Sequence, residues 1–195
     1  MSEAVFRTVN QALHVSHMIA SLPPTSKSNT QTVIEQLMRD AGVMREVERD
    51  GTLNFAGLSP LEVRGQCATV RGAVLHHCTE AERMAIWAWF AHDQTKAEGV
   101  RYLRDWCAPR FSLEGDHVRM LITWRASVTD DSAAARHCSI RDIAGEHGLA
   151  KSTVQRNIAN ISKACKGLRN RGAWRLEEMF IAHGLVDNPE VEEIA

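Results

Sequence analysis

Several groups of residues have the types and spacing for chemistry. Residues 145–153, GEHGLAKST, come close to a phosphate-binding loop. Such a loop sets a Lys-Ser pair behind two glycines, so that backbone amides cradle the phosphate oxygens and the ammonium takes the charge. Here Gly145, Lys151 and Ser152 are in register, but Ala150 replaces the second glycine, and the preceding SIRDIA is polar and helical in pattern rather than a buried strand. That disfavours nucleotide binding. His76-His77-Cys78, Cys67 and the pair His14 and His17 supply metal-binding side chains. None has finger or ribbon spacing, and most fall in helical patterns, so no metal is expected. Tryptophans 87, 89, 106 and 124 lie in apolar helical patterns and read as core rather than as stacking platforms. Trp174, in RNRGAWR, reads as packing for the last helix. There is no GxSxG, HExxH or paired-glycine fingerprint, and nothing calls for catalysis or a cofactor.

Charge is the stronger signal. Nine Lys and Arg residues, from Arg136 to Arg175, share their stretch with two acids, Asp142 and Glu146. The whole chain of 195 residues has a net charge of only −1, so the remainder is acidic. Segregation of this kind points to a basic working surface on an acidic body. Hydrophobic residues make up 44%, which excludes a mainly disordered chain. The longest apolar run, Met84 to Ala91, is far too short for a membrane span, and the polar N-terminus does not read as a secretory signal. Five cysteines, widely spaced and odd in number, predict reduced thiols and a cytoplasmic location.

The elements that must position the basic surface are helical. Ser2 is placed to cap a helix through about Ala20, and a second is predicted over 31–40, after the breaker-rich 22–30. Asp50-Gly51 allows one short β-hairpin near 45–56. Ser59-Pro60-Leu61-Glu62 is a capping box with proline at the first helical position, and Thr79 to Glu82 and Thr95 to Glu98 repeat the box. Helices are therefore predicted over 60–77, 80–91 and 96–107, the last ended by Pro109, with another starting at Ser112. The fold class is all-α: an acidic helical body over 1–126, with a sub-boundary near 57, a linker over 127–136, a basic unit over 137–186 and an acidic tail over 187–195.

The basic unit has specific internal spacing. Ser139 is placed to cap a short helix, with Ile140 and Ile143 facing inward. Ala144 is small where two helices must cross closely. Gly148 suits the left-handed residue that ends the helix, and Leu149 plugs the turn. Val154 and Ile158 anchor a second helix. A small residue, glycine four later, then apolar residues at plus five, ten and fourteen is the spacing that a helix-turn-helix needs. A basic helix, Ser162 to Arg171, and an amphipathic helix, 173–183, are predicted to follow.

This segment, AGEHGLAKSTVQRNI, resembles the helix-turn-helix of bacterial and phage transcription regulators and is similar to the DNA-binding helix pair of sigma-factor region 4. The likeness covers about 25 residues. It departs from the pattern at Ala150, where many relatives place a capping Ser or Thr. The resemblance implies that helix 150–164 enters the major groove of double-stranded DNA. Lys151, Ser152, Gln155 and Arg156 would then read bases, arginine at guanine and glutamine at adenine. Arg136, Arg141, Thr153, Asn160 and Lys163 would contact the DNA backbone. The small size and helical body also resemble phage or prophage regulators, including late-gene antitermination factors. One such unit seldom gives enough contact alone, so a homodimer or RNA polymerase is expected to assist. A second expectation, of another class, is an interaction module whose basic unit binds RNA polymerase directly.

Overall fold

The computed structural model describes residues 4–21, 58–92, 94–111, 140–146 and 148–187. Six helices account for most of them: α1 (Val9–Ser21), α2 (Pro60–His77), α3 (Glu80–Phe90), α4 (Gln94–Phe111), α5 (Ile140–Glu146) and α6 (Lys151–Ala182). The all-α class is thus observed, and one isolated parallel bridge, Phe6 to Val186, is the extended pairing recorded among the described residues. The helix over 31–40, the hairpin near 45–56, the helix from Ser112, the linker 127–136 and the tail beyond Asp187 lie outside the described residues.

The chain divides into two compact units that do not follow chain order. One comprises residues 1–78, 90–92 and 171–195; the other comprises 79–89 and 93–170. In the first, α1 packs against α2. Leu13, Val15 and Ile19 of α1 and Val63, Cys67, Val70 and Val74 of α2 are buried. Burial pushes the Cys67 thiol above its ordinary value, as expected when a thiolate would lose its water. The helix predicted from Ser2 begins instead at Val9. Thr8 Oγ1 accepts from the Gln11 N–H at 3.1 Å, and Gln11 Oε1 accepts from the Arg7 N–H at 2.7 Å. Phe6, fully buried, is held outside the helix by backbone pairing: its N–H donates to Leu185 O at 3.0 Å, and its carbonyl accepts from Asp187 N at 3.2 Å. That long-range pairing overrides local helical periodicity.

The start of α2 follows its local code. Ser59 is the N-cap, Pro60 opens the helix, Glu62 Oε2 accepts from the Ser59 N–H at 2.7 Å and Ser59 Oγ accepts from the Glu62 N–H at 3.3 Å. The Ser59 hydroxyl and N–H together hold the Glu62 carboxyl below its ordinary value.

In the second unit, Ala85, Ala88, Leu103, Cys107, Ala144, Val154, Ile161 and Leu168 form one buried cluster, drawing on α3, α4, α5 and α6. α3 and α4 meet backbone to backbone at Gly99. A Cβ there would lie 2.6 Å from Met84 O and 2.7 Å from Ala88 N. Thr95 is not a cap as the sequence predicts, because α4 already starts at Gln94. Nor does Pro109 end this helix, which continues to Phe111. A proline so close to the C-terminus removes one hydrogen bond in the final turn, and the Arg110 guanidinium donates to the Trp106 carbonyl at 2.5 Å while stacking on that indole at 3.8 Å. The Cys165 thiol of α6 is the neighbour of Cys107 of α4. This contact holds Cys165 protonated, well above the usual thiol range, and lowers Cys107.

Candidate functional site

The basic segment forms two helices joined by a four-residue turn. α5 is short and ends where Gly148 adopts φ +61°, a conformation that other L residues take only at a cost. The Leu149 N–H donates to Ala144 O at 2.9 Å and the Gly148 N–H to Gly145 O at 3.4 Å. These are the paired bonds of a Schellman motif, which satisfies carbonyls left open at a helix end. Ala144 is buried, and Ile140 and Leu149 pack against the same cluster. Ala150 stands immediately before α6 and its carbonyl accepts from Thr153 and Val154 at 2.9 and 3.1 Å. Its methyl group offers no oxygen to the first-turn amides, so the helix starts without a side-chain cap.

α6 is where structure and sequence reading part. The sequence predicts three helices across this span, with the first ending near 164; the chain instead forms one helix of 32 residues, Lys151–Ala182. At about 1.5 Å per residue it is about 48 Å long. The cause is the apolar stripe, which never loses phase. Val154, Ile161 and Leu168 are buried at intervals of seven, Ile158 and Cys165 are half-buried between them, and Leu176 and Phe180 are buried farther on. Gly172 is buried, and its carbonyl accepts from Cys78 Sγ at 3.8 Å. An interior glycine costs only about 1 kcal/mol, which continuous burial offsets. The helix ends at a second Schellman turn, with Gly184 at φ +64° and the Leu185 N–H bonded to Phe180 O at 2.9 Å.

Opposite the stripe lies the candidate surface. Lys151, Ser152, Gln155 and Arg156 are exposed on the first two turns. With Ala159 they share one face, since residues three and four apart are neighbours on a helix. Lys163 is exposed on the same face two turns on, and Asn160 is exposed at its margin. Thr153 is half-buried at the same margin, two turns before Asn160, and Arg141 is exposed on α5. Arg136 lies outside the described residues. Three further exposed residues, Lys166, Asn170 and Arg171, prolong the polar face; the sequence places them in the basic helix 162–171 but assigns them no DNA contact. The signal was available, because they are out of phase with the apolar stripe; the expected helix breaks concealed it. No acid occurs between Glu146 and Glu177, so nothing on this span of α6 cancels the cations.

The chemistry available is that of a polyanion-binding face. A guanidinium at 156 can make two parallel bonds to one base edge or one phosphate, and the Gln155 amide carries both a donor and an acceptor. From Lys151 to Arg171 the exposed cations span about 30 Å along the axis. Of the other candidates, His76 and His77 are exposed in the last turn of α2, Cys67 and Cys78 are buried, and His14 lies edge-on to Phe90 at 5.9 Å between ring centroids. No group of three or more histidines, cysteines or acids that could hold a metal ion occurs among the described residues. No described helix is long and apolar enough to cross a membrane. No protein-family model matches the chain, and no curated protein is significantly similar to it.

Proposed function

We propose that the chain is a sequence-specific double-stranded DNA-binding transcription regulator that reads the major groove with the N-terminal turns of α6. One observation carries this reading. After a tight turn at Gly148, a helix anchored by Val154 and Ile161 presents Lys151, Ser152, Gln155 and Arg156 to solvent, on a span free of acids. Those residue types can distinguish base edges, and their position at the start of a second helix is the one from which a helix-turn-helix reads them. Arg141, Asn160 and Lys163 would hold the phosphates and set register, with Thr153 at the margin. The resemblance to phage and prophage regulators, antitermination factors included, supports a role near RNA polymerase. The area that one such unit can offer supports a homodimer or a polymerase-bound factor.

A selection from a random duplex pool at near-physiological salt tests the proposal. Wild type is run beside the Lys151→Ala/Arg156→Ala double variant. An enriched motif that the variant loses supports base reading by α6. A palindromic motif adds a symmetric dimer, and a single half-site favours a monomer or a polymerase-bound factor. Weak binding shared by both proteins, with no enriched motif, overturns the proposal and favours direct binding of an acidic surface on RNA polymerase.

A further inference from the structure

The second unit contains a half-open cleft of about 340 Å³ on the flank of α6. Its floor is apolar: Ala85 and Ala88 of α3, Leu103 of α4 and Ile161 of α6. Its rim is cationic, formed by Lys163, Lys166 and Arg169 at successive turns of α6. The Arg169 guanidinium lies over the Trp89 ring, 4.4 Å from its centroid, and Trp89 itself lines the cleft. Ser162 Oγ, also in the lining, is buried and finds no hydrogen-bond partner among the described residues. A buried hydroxyl in a native protein normally has a partner, so this one is available to a ligand oxygen.

We propose that this cleft binds a small organic anion with a flat apolar body: an aromatic carboxylate or sulfonate. The volume lies at the small end of the range for ligand pockets, about 300–1,000 Å³. An apolar floor beside an indole suits a ring, and an ammonium and a guanidinium at the rim suit a carboxylate, which accepts charge-assisted hydrogen bonds. A cationic ligand would meet three like charges, and a free phosphate would leave the floor bare. The ring lies on Ala88 and Leu103, the carboxylate meets Lys166 and Arg169, and Ser162 donates to one of its oxygens. The cleft shares Lys163 and Lys166 with the polar face of α6, but its floor and Arg169 belong to α3, α4 and the flank of the helix, so anion binding is measured without DNA.

The probe is 2-naphthoate, titrated into the full chain by calorimetry, with its uncharged isostere 2-naphthalenemethanol beside it. Saturable one-to-one binding is expected, with Kd between about 10 µM and 1 mM for a ligand of this size. The uncharged analogue should bind at least about tenfold more weakly, and Lys166→Gln and Arg169→Gln should each weaken naphthoate about five- to tenfold. Arg101→Gln, an exposed change on α4 outside the lining, is the control and should leave Kd unaltered. Circular dichroism and thermal melting establish that each variant keeps its helices; should Arg169→Gln melt early, Lys166→Gln carries the comparison. Absence of saturable heat up to millimolar naphthoate in a folded chain overturns the proposal. Equal affinity for the charged and uncharged probes overturns it as well, as does binding indifferent to Lys166→Gln.

Discussion

If the acid-free face of α6 lies along a duplex, its affinity must depend steeply on salt, and the structure sets the slope. On α5 and on α6 as far as Arg171, the exposed cations are Arg141, Lys151, Arg156, Lys163, Lys166 and Arg171. Lys151 and Arg156 are the two placed for base edges, so four to six of these residues are available to phosphates. Each neutralised phosphate releases counterions and contributes about −0.9 to the slope of log K against log salt. The expected slope is therefore about −3.6 to −5.4, and affinity should fall about 150- to 2,000-fold between 50 and 200 mM monovalent salt. Fluorescence anisotropy with the selected duplex, repeated across a salt series, measures it. Lys163→Ala should make the slope shallower by about one unit and weaken all sequences alike. Arg156→Ala should instead relax preference at one base pair, at a cost of about 1–3 kcal/mol for the preferred base. A wild-type slope shallower than about −2, or a Lys163→Ala slope equal to the wild type, would refute the placement of this face on the phosphate backbone.

Three further outcomes concern the scaffold. Gly148→Ala meets no obstacle among the described residues: beyond its chain neighbours, none of them comes within 4 Å of the new methyl group, so its cost is backbone conformation, about 1–2 kcal/mol. Urea denaturation should show this loss, and Gly148→Asn should lose less, because asparagine tolerates the left-handed region. Leu168→Ala should cost about 2–5 kcal/mol, because it opens a cavity in the buried cluster, whereas Lys166→Ala on the exposed face should cost almost nothing; thermal melts separate the two. Ser59→Ala should destabilise the start of α2 by about 1 kcal/mol at neutral pH. Because the box lowers the Glu62 carboxyl, its stabilisation is present above the ordinary value of 4.5 and is lost as pH falls through the lowered one. An acid titration of helical circular dichroism should show that loss in wild type and a weaker one in Ser59→Ala.

What could be read from sequence was what local chemistry decides. The Ser59 box and the left-handed Gly148 follow from residues within a few positions of each other, and both appear as the sequence predicts. The exposure of Lys151, Ser152, Gln155 and Arg156 follows from the phase of Val154 and Ile158. The misreadings have two physical origins. Gly172 and Pro109 carry strong local signals that do not end their helices, the first because it is buried within α6 and the second because it lies in a final turn. Phe6 and the cleft depend on contacts between residues far apart in the chain. No local pattern pairs Phe6 with Val186, or sets Trp89 under Arg169. Trp89 reads as core and Arg169 as one more cation of a basic run until α3 and α6 are brought together.

The crossing of α3 and α4 at Gly99 bears on how this unit can change over generations. The atoms that a methyl group would strike, Met84 O and Ala88 N, belong to the main chain and are present whatever residues stand at those positions. No substitution at 84 or 88 can enlarge the space, so a second-site suppressor would have to displace an entire helix. Position 99 therefore has an alphabet of one letter. A library randomised at 84, 88 and 99 together should return folded clones of varied sequence at the first two positions and glycine at the third.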